Sequence, residues 1–454
     1  MVSDDKQAMQ WPRLICDKRF GLEDFHDPRK SAVRTDFRRD YDRLVFSSPF
    51  RRLQNKTQVF PLPGSIFVHN RLTHSMEVAC VGKSMADEIA IGLRARYAGE
   101  DWADAFNHIG DIVAAACLAH DLGNPPFGHS GEKAIATFFS EGAGRELRPL
   151  LSESEWADLI HFEGNANAFR VLTHQFKGRR RGGFAMTYST LASIVKYPYE
   201  SRLAGKKGKF GFFTSEAADF DKVAAELGLL SRPGDAGERR YVRHPLVYIV
   251  EAADDICYEV MDIEDAHKLR ILTTRQVIEA FLSYFPVERR RHMEEIMAGV
   301  ADPNEKIAYL RSCVVGVLVQ RCAEAFLANE DAILRGEMQG CLLDHIPQLE
   351  REGYARCNEI SWSKIYCSGD VVDIELAGNR IITFLLEKLT HAVLHPELNY
   401  SRLLLAKFPD QYDVAAPTLF GRIQAVLDHL SAMTDVYALD LYRKLNGIQL
   451  RIEN

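Results

Sequence analysis

Apolar residues in this chain recur at three- and four-residue steps, and runs that alternate with period two are scarce. Between 74 and 97, Val78, Val81, Met85, Ile89 and Leu93 fall on one stripe, which predicts a long amphipathic helix. Residues 111–120 are Ala-rich and apolar on every side; they predict a helix buried nearly all round and ended by the Gly- and Pro-containing run 123–126. Further helices are expected from Gly131, from near Asn165, and over 246–262, 276–284, 305–327, 381–394 and 417–445. Strand signals are confined to 58–61 and 239–242, enough for small hairpins at most. The predicted class is all-α.

No Pro/Ser-rich linker and no internal repeat divides the 454 residues. The expected organisation is an N-terminal segment over 1–45, a helical core over 46–270, and a C-terminal helical extension over 271–454 packed on that core. Two Gly-rich basic stretches, 177–183 and 202–209, are expected as exposed loops. A hydrophobic share of 46% with 26% charged residues excludes collagen-like and wholly disordered chains. The net charge of −7 argues against a surface that grips nucleic acid everywhere, so a polyanionic ligand must be met by a local basic pocket. No run approaches the roughly 20 apolar residues of a membrane span. The N-terminus lacks the basic start and apolar core of a secretion signal, so a cytoplasmic address is expected. Nine scattered cysteines without a C-x-x-C pair indicate neither a disulfide framework nor a thiolate zinc site; Cys80, Cys117 and Cys257 are expected as small core residues.

The chemistry concentrates at His120-Asp121. Another His-Asp pair, His26-Asp27, precedes Pro28 in a charged stretch, where surface turn chemistry accounts for it. His120 and Asp121 instead terminate an apolar helix, where an unpaired charge is costly. A divalent metal satisfies both, because neutral imidazole and carboxylate are suitable ligands. Further ligands are then needed, and His74 and Asp254 lie on helices with apolar faces. A lone His74 would ordinarily be a satisfied core or capping histidine; beside the other motifs, ligation becomes the better account. His129 and Glu132 follow the pair closely. A histidine near neutral pKa can shuttle a proton while a carboxylate three residues on orients it, although Ser130 and Glu132 also suit a helix start.

These residues sit in longer motifs: Asn-Arg-Leu-Thr-His-Ser-Met-Glu-Val at 70–78, Ala-His-Asp-Leu-Gly-Asn-Pro-Pro-Phe-Gly-His-Ser-Gly-Glu at 119–132, His-Phe-Glu-Gly-Asn-Ala at 161–166 and Glu-Ala-Ala-Asp-Asp-Ile-Cys-Tyr at 251–258. In this order they resemble the bacterial dGTPase-like branch of the HD superfamily, and the likeness runs from about Ser47 to the Ser-Ala-Met-Thr-Asp-Val-Tyr-Ala-Leu segment at 431–439. The resemblance implies metal ligands His74, His120, Asp121 and Asp254. Asp255 is the rival for the last place; Asp254 is preferred because it shares a helical face with Tyr258 and Asp262, from which Asp255 points about 100° away. His129 and Glu132 take the catalytic places, with Glu163 or His161 bracing the histidine. Arg71, Lys196 and Tyr197 are implied phosphate partners, Gln58 and Asp262 hold the 3′-hydroxyl, Val59 and Tyr258 crowd the 2′ carbon, and Asn165 is a further pocket residue.

The implied activity is metal-dependent hydrolysis of deoxynucleoside triphosphates at the α-phosphorus, with Mn²⁺, Mg²⁺, Fe²⁺ or Co²⁺ acceptable to two imidazoles and two carboxylates. The resemblance also implies a homo-oligomer, a hexamer in many relatives, and the basic loops offer a site for a nucleotide or single-stranded DNA effector. Two competing expectations are an HD phosphohydrolase of other nucleotides, such as monophosphates or alarmones, and a non-catalytic nucleotide-binding scaffold.

Overall fold

The computed structural model describes residues 8–27, 34–60, 67–232 and 238–448, and within them the architecture is helical. At its centre, the helix Arg71–Arg96 packs against Ile109–Ala119, Val247–Lys268 and Pro303–Leu334. Asn70 starts the first of these with a capping box: its side chain accepts the Thr73 amide while Thr73 Oγ1 accepts the Asn70 amide. Ile109–Ala119 is buried at every position except Asp111, as its all-round apolar composition requires. Trp11, Leu14, Phe37 and Leu44, from the N-terminal stretch, are buried in the same apolar cluster. Another cluster joins Gly128–Ser140 and Glu153–Ile160 to Gly369–Leu394, Leu419–Ser431 and Asp435–Leu445.

Of the strand candidates, 239–242 reduces to isolated bridges, and residues 58–60 carry none, the nearby bridge falling on Thr57. Thr57 pairs with Asn70, Arg240 with Tyr199 and Tyr241 with Ser231, without extending into a ladder; Pro61, the last residue of the 58–61 candidate, lies outside the described residues. The helix expected over 417–445 is two helices, because Thr434 accepts the amide of Tyr437 and caps a fresh start at Asp435. The helix expected from Gly131 begins at Gly128, after Phe127 in the left-handed region (φ 62°). Ser130 therefore does not cap it, and its hydroxyl donates to the Glu375 carbonyl at 2.8 Å. Cys117 and Cys257 are buried as expected; Cys80 is exposed, facing away from the stripe that packs. Among the described residues no helix is long and apolar enough to cross a membrane.

Candidate active site

The first turn of the Arg71 helix, the end of the Ile109 helix and the middle of the Val247 helix meet at His74, His120, Asp121 and Asp254. Ligand atoms of His74, His120 and Asp121 all lie within 4.8 Å of one another. Asp254 Oδ1 stands 3.0 Å from His74 Nε2 and 3.4 Å from His120 Nε2. His120 Nδ1 lies 2.6 Å from the Cys117 carbonyl, which accepts its proton, so in the neutral ring that a metal requires the lone pair stands on Nε2. That Nε2 is buried and has no hydrogen-bond partner among the described residues. Burial opposes charge on His120, yet Asp121 and Asp254 outweigh it and push the imidazole up to about 9. For Asp254, burial favours the neutral acid, but His120 and His74 hold its carboxyl well below the usual range. The cluster is a donor set short of positive charge. Its chemistry and its orphaned nitrogen fit a divalent cation.

Arg71, buried just before this cluster, donates to Asp121 Oδ2 at 2.8 Å. Gly128 presses on it: a Cβ there would meet Arg71 Nη2 at 2.3 Å, and the backbone is left-handed (φ 55°). One residue on, His129 is 64% exposed, and its Nδ1 lies 2.9 Å from Glu132 Oε2. The other Glu132 oxygen accepts the Gly164 amide at 2.8 Å; a side chain at Gly164 would collide with it. The hydrogen bond and charge of Glu132 raise His129 above its ordinary value. Burial pushes Glu132 up towards the neutral acid, but His129, Lys209 and the Gly164 amide together hold its carboxyl below its ordinary value.

A pocket of about 690 Å³ opens beside the cluster, large enough for a nucleotide. Its wall includes Gln58, Val59, His129, Glu132, Asp255 and Tyr258. The Tyr258 ring, 6.4 Å from that of His74, connects pocket and cluster. Among the described residues Gln58 Oε1 is buried without a partner, an acceptor open to a donor. Asp255 lines the pocket, whereas the compact ligand group of His74, His120 and Asp121 includes neither Asp254 nor Asp255, and it is Asp254 that approaches its imidazoles; burial pushes Asp255 up to about 7.

Other expected contacts are engaged elsewhere. Asp262 accepts the Tyr366 hydroxyl at 2.9 Å, and burial drives its carboxyl well above the usual range. Lys196 is paired with Glu251 at 3.0 Å and lies over the Tyr197 ring. Asn165 donates to Glu163 at 2.6 Å. Glu163 pairs with Lys209, at 2.5 Å; among the described residues it is Glu132 that holds His129, while His161 lines the pocket. Lys209 belongs to a stretch expected as an exposed loop, yet Lys207 and Lys209 line the pocket with Lys133. Tyr354, Asn358, Trp362 and Tyr366 also line it and had no sequence motif to mark them. The signal was there: a polar and aromatic residue every fourth position, where Gln348–Ile360 passes into the wider turn Ser361–Ile365.

A family model of the HD domain matches residues 71–182, which contain His74, His120, Asp121, His129 and Glu132. The deoxyguanosinetriphosphate triphosphohydrolase-like protein of Pseudomonas aeruginosa (strain LESB58) is 36% identical over 453 residues, covering 97% of this chain and 99% of its own. A protein of the same name from Synechocystis is also 36% identical, over 458 residues, with 97% and 100% covered. The deoxyguanosinetriphosphate triphosphohydrolase of Yersinia enterocolitica is 29% identical over 490 residues, with 90% and 93% covered. With the helical scaffold and the His-Asp cluster already in place, likeness along nearly the whole chain decides the assignment: this chain belongs to the deoxyguanosinetriphosphate triphosphohydrolase-like family of HD-domain proteins.

Proposed function

We propose that the protein hydrolyses deoxynucleoside triphosphates at the α-phosphorus, releasing the deoxynucleoside and intact triphosphate. The observation that carries this is the placing of His129. It is exposed on the wall of a nucleotide-sized pocket and held by Glu132, and that pocket adjoins a cluster whose buried His120 Nε2 has no hydrogen-bond partner among the described residues.

His74, His120, Asp121 and Asp254 would hold the divalent ion. When bound, such an ion polarises a phosphate oxygen and makes water a stronger nucleophile at neutral pH. The remaining chemistry falls to the chain itself. His129 moves a proton at Nε2, to or from the water or the departing 5′-oxygen, while Glu132 fixes the ring through Nδ1. Lys133, Lys207 and Lys209 supply the local positive charge that a chain of net charge −7 must provide for a triphosphate. Arg71 and Lys196 join them once their carboxylate partners exchange for phosphate. Gln58 Oε1 accepts the 3′-hydroxyl, Asp262 with Tyr366 closes that end, and Val59 and Tyr258 leave little room for a 2′-hydroxyl.

Incubating each dNTP, alone and in pairs, with Mn²⁺, Mg²⁺ or Co²⁺ and analysing the phosphate products tests the proposal. Inorganic triphosphate is expected. Monophosphate release, or inertness towards every dNTP, would transfer the assignment to one of the competing expectations.

A further inference from the structure

Two side chains of opposite charge tie the walls of this pocket to the C-terminal part of the chain. Lys56, 2% exposed, donates to the carbonyls of Asn124 and Ser431, each at 2.6 Å. Asp435, 8% exposed, accepts the Thr57 amide on Oδ2 at 2.7 Å and the Phe127 amide on Oδ1 at 2.9 Å. Each residue therefore bridges the two segments to which it does not belong. The three joined segments are the stretch leading to Gln58 and Val59, the loop from Asp121 to His129, and the break between the last two helices.

The Asp435 connections bear directly on the site. Thr57 immediately precedes Gln58, and Phe127, in the left-handed region, precedes Gly128 and His129. A buried amide without an acceptor is costly, so both walls are drawn to one carboxylate and held at the separation its two oxygens allow. Only an ionised carboxylate, an acceptor at both oxygens, satisfies both amides; an asparagine offers one carbonyl and turns its NH₂ towards the other.

We propose that Asp435 is a positioning residue for this reaction, clamping the Gln58 wall and the His129 loop into register through the Thr57 and Phe127 amides. This rests on the hydrolase proposal for its kinetic consequence but not for its geometry. Misplacing a reacting group by about 1 Å costs about 10²-fold in rate, the expected loss in kcat/KM for Asp435→Asn. Losing the Phe127 anchor lowers kcat, while losing the Thr57 anchor raises KM.

The test compares Asp435→Asn with Thr434→Ala, which removes the cap of the same helix but keeps the carboxylate. Two readouts are taken on the full-length protein: triphosphate release from dNTPs and backbone hydrogen exchange. Asp435→Asn is expected to lose kcat/KM and to exchange faster within both 53–60 and 121–130; Thr434→Ala is expected to do neither. Equal kcat/KM in the two variants, or unchanged exchange in either segment, overturns the proposal. If the unmutated protein releases no triphosphate, the hydrolase assignment fails, and the exchange measurement still decides the clamp.

Discussion

Glu132 holds His129 from behind: one carboxylate oxygen lies 2.9 Å from the imidazole Nδ1, and the other is occupied by the Gly164 amide at 2.8 Å. The carboxylate cannot rotate away, so the raised pKa of His129 is built into the packing. The sign follows. While Glu132 is ionised, the contribution of the raised His129 to stability is fully present below the unfolded histidine value, near 6.5, and is lost as pH rises through the higher folded value. Glu132→Gln removes the partner, so the His129 limb of the kcat–pH profile is expected at lower pH, whichever way the proton travels. A limb that stays in place would show that Glu132 does not set His129.

Removing the proton carrier itself, in His129→Ala, is expected to lower kcat by about 10²- to 10⁴-fold while divalent-ion binding persists. Titration with Mn²⁺ followed by dNTP turnover separates the two effects. A variant that loses metal along with activity would place His129 in the ligand set.

The two neighbouring aspartates give opposite expectations. Asp254 Oδ1 approaches both imidazoles of the cluster, whereas Asp255 faces the pocket. Asp254→Asn is expected to weaken Mn²⁺ binding severely, and Asp255→Asn to leave the bound-metal stoichiometry intact. Calorimetric titration of both variants decides the matter; the reverse ranking would exchange their roles.

Gly128 combines a left-handed backbone with a Cβ position 2.3 Å from Arg71 Nη2. Arg71 has no easy retreat, being buried and paired with Asp121. Gly128→Ala should therefore destabilise the fold by about 1–3 kcal/mol, from backbone strain and displacement of the arginine together. Urea unfolding measures this, and an unchanged midpoint with an unchanged slope would mean that the arginine moves freely.

Away from the pocket, Arg170 grips both oxygens of Asp428 at 2.8 Å and also reaches Glu216, all three buried. Arg170→Met leaves two carboxylates without their cation and is expected to cost about 3–5 kcal/mol, with less lost when Asp428→Asn accompanies it. Burial pushes Glu216 up, but Arg170 outweighs it and holds the group below its ordinary value. Its stabilising contribution is therefore present above the unfolded pKa and fades as pH falls through the folded one, so the gap between wild type and variant narrows in acid. A gap independent of pH would remove Glu216 from the account.

The amino-acid order alone determined the helical class, the buried Ile109 helix and the residues able to carry the chemistry. Periodicity and side-chain type are local properties: His120-Asp121 at the end of an apolar run must find a partner in any fold. What the local pattern could not contain was the company each side chain keeps. The break at 432–434 looks like continuous helix until Thr434 caps it, and only then does Asp435 reach amides more than 300 positions away. Lys209 reads as part of a solvated basic stretch, yet its pairing with Glu163 places it on the pocket wall. Asp254 and Asp255 are chemically alike and adjacent, and the direction of the Val247 helix against the Arg71 helix sends one to the imidazoles and the other to the pocket. Tertiary packing decided these points because a carboxylate or ammonium taken out of water is satisfied by whatever the fold brings within about 3 Å, whatever its separation along the chain.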